Sequence, residues 1–303
     1  MKYITTTLLI LIIVTTGIIT SCSKNLKVKI PYEGDKLVLN SLITQDSFVY
    51  VRLSNTTKLR QSYFYYIPTG AAAQLFENGI FKENLVRRNI FGDTFFVSTA
   101  KARVSKTYTI KAQATNLTAV EGSDAMPVKA QFTPMRYKVN NNTTTVGNNS
   151  MVECKIRDNG ATRNYYGISL FPVDTNLAAT GPRLIIRYNN PEYITIRENT
   201  SGGGNPLFGT NEDNYVLISD ETFNGRDVIL NIEFFNSDMR NHIATRVTAL
   251  SEAAYKYMLS VRTQINTQGN PLAEVAPIFN NITNGYGIVG CIADSTFIIR
   301  KQL

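Results

Sequence analysis

Cys22 is the residue whose chemistry is most legible. It follows MKYITTTLLILIIVTTGIITS, in which Lys2 is the single charge and an apolar and threonine run extends from Tyr3 to Ile19. Thr20 and Ser21, both small, separate that run from the thiol. A basic start, an apolar stretch and small residues at its end make a secretory signal, here with a cysteine at the cleavage point. The chemistry expected of Cys22 is acylation, which ties the exported chain to a membrane by lipid. Each buried methylene of an acyl chain contributes about 0.8 kcal/mol, so several chains on one thiol hold permanently. The competing reading is a retained span. The run is near the minimum of about 18 residues, but Thr5, Thr6, Thr7, Thr15, Thr16 and Gly17 dilute it. A span also has no need of a cysteine after small residues.

Other reactive groups are sparse. Cys154 sits in MVECKI and Cys291 in YGIVGCIA, both strand-like. An oxidising compartment permits a disulfide between them. The alternative is two buried free thiols, since free cysteine is among the most buried residue types. The single histidine, His242, lies in the polar stretch SDMRNHIATR and reads as a surface residue in or beside a turn. A cluster of histidines around a metal is therefore impossible, and a catalytic triad would depend on this one residue. CxxC and Cys/His spacings are absent. Glu212, Asp213, Asp220 and Glu221 cluster near a turn, but Asn211-Glu212-Asp213-Asn214 is too compact for a calcium loop. Gly202-Gly203-Gly204 precedes neither GK[ST] nor a helix start, so it is not a phosphate cradle. The expectation is a protein that is not an enzyme, with no metal and no cofactor.

The formal charge is +8 at pH 7, but the basic residues are scattered. Lys58 and Arg60 form one group and Lys101, Arg103 and Lys106 another. Neither approaches the basic runs of nucleic-acid binders, so nucleic acid is not an expected partner. Tryptophan is absent, which leaves tyrosine and phenylalanine to make aromatic contacts. They concentrate in KLRQSYFYYIPTG. There Tyr63, Tyr65 and Tyr66, with Phe64 among them, read either as an exposed contact for a partner or ligand or as sandwich core and edge.

The elements that position these residues are mainly β. KLVLNSLI and DSFVYVRLS alternate apolar and polar residues as half-buried strands do. TGAAAQLFENG ends in Asn78-Gly79, a hairpin turn with IFKENLV as its return. GDTFFVST and KTYTIKAQAT add two strands, and the set predicts a β-sandwich. A weak boundary falls in VEGSDAMPVKA. It divides a lipidated N-terminus and sandwich, residues 22–125, from a larger β-rich domain, residues 126–303. In the second part NNNTTTVGNN reads as a hairpin loop, and GIVGCIA and STFIIR as two final strands. SEAAYKYMLSVRTQI, residues 251–265, has apolar residues at spacings of three and four and is the one helix expected.

Ile19-Thr20-Ser21-Cys22 resembles the lipobox of bacterial lipoproteins. Residue 23 is Ser rather than Asp, so nothing resembles an inner-membrane retention signal, and the resemblance implies the outer membrane. Whether the periplasmic or the cell-surface face carries the protein stays open. The order of LVLNSLI, VYVRLS, TGAAAQLFENG, NYYGISLF, FNGRDV, AAYKYMLSV and NPLAEVAPIFNNITNGYGIVG resembles the domain of unknown function 4249 family, exported lipoproteins of the Bacteroidota type. By the same resemblance the first part looks like a transthyretin/immunoglobulin-like sandwich. The family's setting implies an outer-membrane protein partner, a TonB-dependent transporter, for which the chain would be a ligand-capture or accessory subunit. Loops at 60–70, 140–149 and 199–214 would supply its binding face. The alternative is a structural or assembly accessory of an outer-membrane machine, without its own ligand.

Overall fold

The computed structural model describes residues 32, 34–58, 66–90, 92–139, 149–184, 186–188, 194–196, 215–235, 242–267 and 276–300. The chain is mainly β. The first eight strands are β1 (Leu37–Thr44), β2 (Phe48–Asn55), β3 (Ala72–Glu77), β4 (Ile80–Asn84), β5 (Val86–Ile90), β6 (Asp93–Lys101), β7 (Thr107–Ala114) and β8 (Leu117–Ala125). The next are β9 (Gln131–Val139), β10 (Asn149–Arg157), β11 (Tyr165–Val173), β12 (Ile186–Tyr188), β13 (Ile194–Ile196), β14 (Val216–Ser219), β15 (Asp227–Phe235) and β16 (His242–Leu250). Helix α1 (Glu252–Thr267), β17 (Ile282–Thr283) and β18 (Tyr286–Ile299) complete the order.

Local chemistry explains several of these elements. Leu37, Leu39 and Ile43 of β1 are fully buried and alternate with half-exposed residues, the two-residue period of a strand with one covered face. Asn78 and Gly79 both take positive φ, 52° and 79°, as the tight β3–β4 hairpin requires. Ser251 starts α1: its hydroxyl accepts from the Ala254 amide at 3.1 Å and its carbonyl from the Tyr255 amide at 2.9 Å.

The strands form a nine-stranded sheet, β13-β14-β11-β16-β18-β1-β2-β6-β5, with a five-stranded sheet, β17-β8-β7-β3-β4, and a four-stranded sheet, β12-β15-β10-β9. Alternation along the large sheet shows how they stack. Val289, Cys291 and Ala293 of β18 enter one core with β1, β2, β3 and β7. Ile299, on the same face, enters a second core with β10, β11 and β15. Ile288 and Ile292 point the other way, into clusters with Tyr255 and Tyr257 of α1. The five- and four-stranded sheets therefore cover one face of the large sheet side by side, and α1 covers the opposite face.

The β18 strand joins the two halves. It pairs parallel with β1 from Val38↔Tyr286 to Thr44↔Ile292, and antiparallel with β16 from Leu250↔Ile292 to Ile243↔Ile299. Asp35–Leu303 accordingly forms one compact unit. The expected division at residue 125 survives only in the cores, which change over between Met126 and Phe132. GIVGCIA and STFIIR are one continuous strand, because Asp294 accepts a 2.6 Å hydrogen bond from Thr248 of the adjacent strand instead of opening a turn.

Four strands were not foreseen, among them the two-residue β17. β5 is an exposed edge and β8 alternates with few large apolar residues, so neither carries a strong pattern. The β16 strand is central and covered on both faces, which erases alternation, and it contains the buried hydroxyls of Thr245 and Thr248. His242 opens β16 opposite Val173 rather than lying in a turn.

Ending the chain after Asn284 removes the partner of β1 and the partner of β16 together. Both cores should then lose cooperative unfolding, seen as one vanished melting transition in near-UV circular dichroism. A surviving transition would show that one half closes without β18.

Candidate functional site

The two cores meet where the chain crosses from β8 to β9. Asp124, near the end of β8, sits at the point where β16 stops and β18 continues. There the Cys291 amide has no strand partner on that side. The Asp124 Oδ2 accepts from it at 2.7 Å, the Ser251 hydroxyl lies 3.2 Å from the same amide, and Ser251 also donates to Oδ2. The other carboxylate oxygen accepts from the Ala125 amide at 2.9 Å. One carboxylate thus ties β8, the start of α1 and β18 together. Burial pushes its pKa up to about 6, against the hydrogen bonds from Ser251, Cys291 and Ala125, which favour the ion.

Beside this knot lies an open groove of about 770 Å³. One wall is the crossing segment from Asp124 to Gln131, and the other is the turn after β10. Tyr165 and Tyr166, with Leu250 and Ser251, close the remaining side. A smaller hollow of about 390 Å³ shares Ala130, Gln131 and Arg157 with it. Pockets favour such junctions, because two separately packed units leave a cleft that neither fills.

The groove's far wall is clamped from behind. Asp158 accepts from the Tyr166 hydroxyl at 2.6 Å and from the Gly225 amide at 2.8 Å. Asp220, fully buried, accepts from the Asn164 amide at 2.6 Å. The Asn164 side chain donates to the carbonyls of Thr162 and Asn159 at 2.6 and 2.9 Å. A Cβ on Gly160 would lie 2.8 Å from the Gly225 Cα, so the turn closes only with glycine there. Burial, and then the hydrogen bond and charge of Asp158, push the Tyr166 phenol upward, and it stays a donor. Burial and the Asp158 charge likewise push the Asp220 carboxyl upward, partly offset by Asn164. Tyr165 stacks on Tyr255 of α1, ring centroids 4.5 Å apart.

Three charges at the rim are in ion pairs. Lys129 lies 3.7 Å from Asp46, Arg157 3.6 Å from Asp227 and Glu252 2.7 Å from Lys256. Among the described residues no group of three His, Cys, Asp or Glu side chains is placed to hold a metal. Fixed walls and a partly apolar lining suit the binding of a ligand.

Comparison with known proteins follows from this geometry. The model of the domain of unknown function family DUF4249 matches residues 23–298. The chain belongs to that family. No curated protein matches it. Among solved structures, it is similar to a "Putative membrane anchored protein" from Corynebacterium diphtheriae, at 12% identity and a TM-score of 0.22. That alignment covers 86% of this chain and 60% of the other. Among the described residues no helix is long and apolar enough to cross a membrane.

Of the site residues expected from sequence, Cys22, Tyr63 and Tyr65 lie outside the described residues, as does most of the loops at 60–70, 140–149 and 199–214. Tyr66 is 66% exposed. The disulfide is corrected: Cys154 and Cys291 are free and buried, Cys154 in the core under β10 and Cys291 in the core under β1. Burial pushes both thiols well above the ordinary value. Asp124, Asp158, Asn164 and Asp220 were missed, because carboxylates that meet through folding leave no spacing. The one available signal was Pro127 in the boundary segment.

Two outcomes follow. The folded pKa of Asp124, about 6, lies above the usual 3.8. The folded state therefore holds the extra proton between those values, and this group's contribution to stability falls as pH rises from about 4 to about 6. Asp124→Asn should remove that decline in a series of chemical melts. Asp124→Ala, which leaves the Cys291 amide only its longer contact with the Ser251 hydroxyl, should cost about 1–3 kcal/mol. Separately, a reductant should leave the melting temperature unchanged, and both core thiols should react with maleimide only in denaturant. A reductant-induced drop would mean that these cysteines pair after all.

Proposed function

We propose that this chain is a lipid-anchored capture protein that works beside a TonB-dependent outer-membrane transporter. Cys22, at the end of a secretory signal, provides the tether. The observation that carries the reading is the groove between the two cores, whose wall is held by the buried carboxylates of Asp158 and Asp220. A preformed cleft binds without ordering its own loops, so little affinity is lost to entropy. Family membership supports the setting, since the resemblance noted above is to exported lipoproteins. Capture needs no reaction at the site.

The second reading is a structural accessory that docks without a ligand. It is favoured by exposed aromatic residues away from the groove. Phe48 and Tyr50 stand out from β2, and Tyr66 is well exposed. Aromatic side chains of this kind anchor protein interfaces when they fill pockets.

Cys22→Ala should abolish incorporation of radiolabelled fatty acid and move the protein out of the membrane fraction or leave its precursor uncleaved. Label in the variant would remove the lipid tether from the account. The intact protein should co-purify a transporter from detergent-solubilised outer membrane. Tyr66→Ala should weaken that association with little change in melting temperature. Loss of stability with association intact would assign Tyr66 to packing.

A further inference from the structure

The crossing segment that lines the groove is an extended strand without a partner. Met126–Ala130 contains no turn or bend, and it runs directly from β8 into β9. The Met126 amide donates to the Lys106 carbonyl at 2.8 Å. After that, among the described residues, nothing donates to or accepts from the main chain of Val128, Lys129 or Ala130. Val128 is 71% exposed. The segment then continues into β9, which is an edge of its sheet and, among the described residues, pairs only with β10. Pro134 lies within β9, a position that proline takes on edge strands because it has no amide to give.

We propose that the groove holds a peptide in extended conformation, added as a strand along Val128–Ala130, because the Met126 amide is already bonded and Pro127 has none. This rests on the capture reading above and names its ligand class. Extended main chain presents donors and acceptors in alternation, at about 3.3 Å per residue. Only another extended backbone matches that series group for group, which is the basis of recognition by strand addition. At this rise the segment pairs with about three residues of the peptide. Peptide side chains alternate, so every second one turns toward the wall that carries Tyr165, Asn164 and Arg163. An oligosaccharide fits less well. Sugars stack on open aromatic faces, whereas Tyr165 and Tyr166 are 8% and 4% exposed and Tyr165 already stacks on Tyr255.

The test uses the intact lipoprotein immobilised in detergent. A tryptic digest of serum albumin and a maltodextrin mixture are passed over it separately. Retained peptides are identified by mass spectrometry, synthesised, and measured by calorimetry with and without N-methylation of alternate backbone amides. Methylation keeps each side chain and removes the donor. In one of the two registers it should weaken binding about tenfold or more, the loss of one or two hydrogen bonds. Val128→Pro and Lys129→Pro each delete one amide from the protein's side. The one whose amide faces the peptide should weaken binding about as much as methylation does, with the melting temperature kept. Binding indifferent to methylation in both registers overturns strand addition. Retention of maltodextrin without peptides overturns the peptide and leaves the capture reading standing. Retention of neither overturns both.

Discussion

Two sandwiches depend on one strand. β18 gives β1 its only parallel partner and gives β16 its outer antiparallel one, and it changes from one to the other at Ile292. Its two faces are spent differently. Val289 and Cys291 fill the first core and Ile299 the second, while Ile288 and Ile292 meet the helix. Burying an isoleucine or valine side chain stabilises by roughly 1.5–3 kcal/mol, so this one strand anchors three packed layers. Parallel pairing between strands at opposite ends of the chain closes a very long loop. Such non-local pairing forms late and slowly.

A strand that changes partners leaves a backbone group exposed at the changeover. Here that group is the Cys291 amide, and the carboxylate of Asp124 with the hydroxyl of Ser251 satisfies it. A buried carboxylate is costly, which is why its proton is held up to about pH 6. The cost is offset by the number of bonds it organises: a strand end, a helix start and the first residue of the crossing segment. The same economy recurs at Asp158 and Asp220, whose bonds fix the loop that faces that segment. The groove is the space between these two sets of buried acids, and its shape follows from them.

A site on clamped turns keeps its shape without a ligand, whereas a site on long loops must be ordered each time. Binding at the junction also places the ligand next to the residues that hold the two halves together. Occupancy of the groove and the integrity of the β18 junction are then physically neighbouring events.

The sequence by itself determined the mainly β character, the Asn78-Gly79 hairpin and the helix that Ser251 begins. Each rests on neighbours in the chain: a two-residue or 3.6-residue period, a residue that tolerates positive φ. Only the tertiary structure decided that Cys154 and Cys291 lie in different cores, that β16 is central despite its threonines, and that the tail closes both halves. It alone brought Asp124 to Ser251 and Cys291, and Asp158 to Tyr166 and Gly225. Those contacts join residues from 8 to 167 positions apart. Periodicity reports which face of an element is covered, but not by what, and a buried carboxylate finds its donors only when the sheets have closed around it.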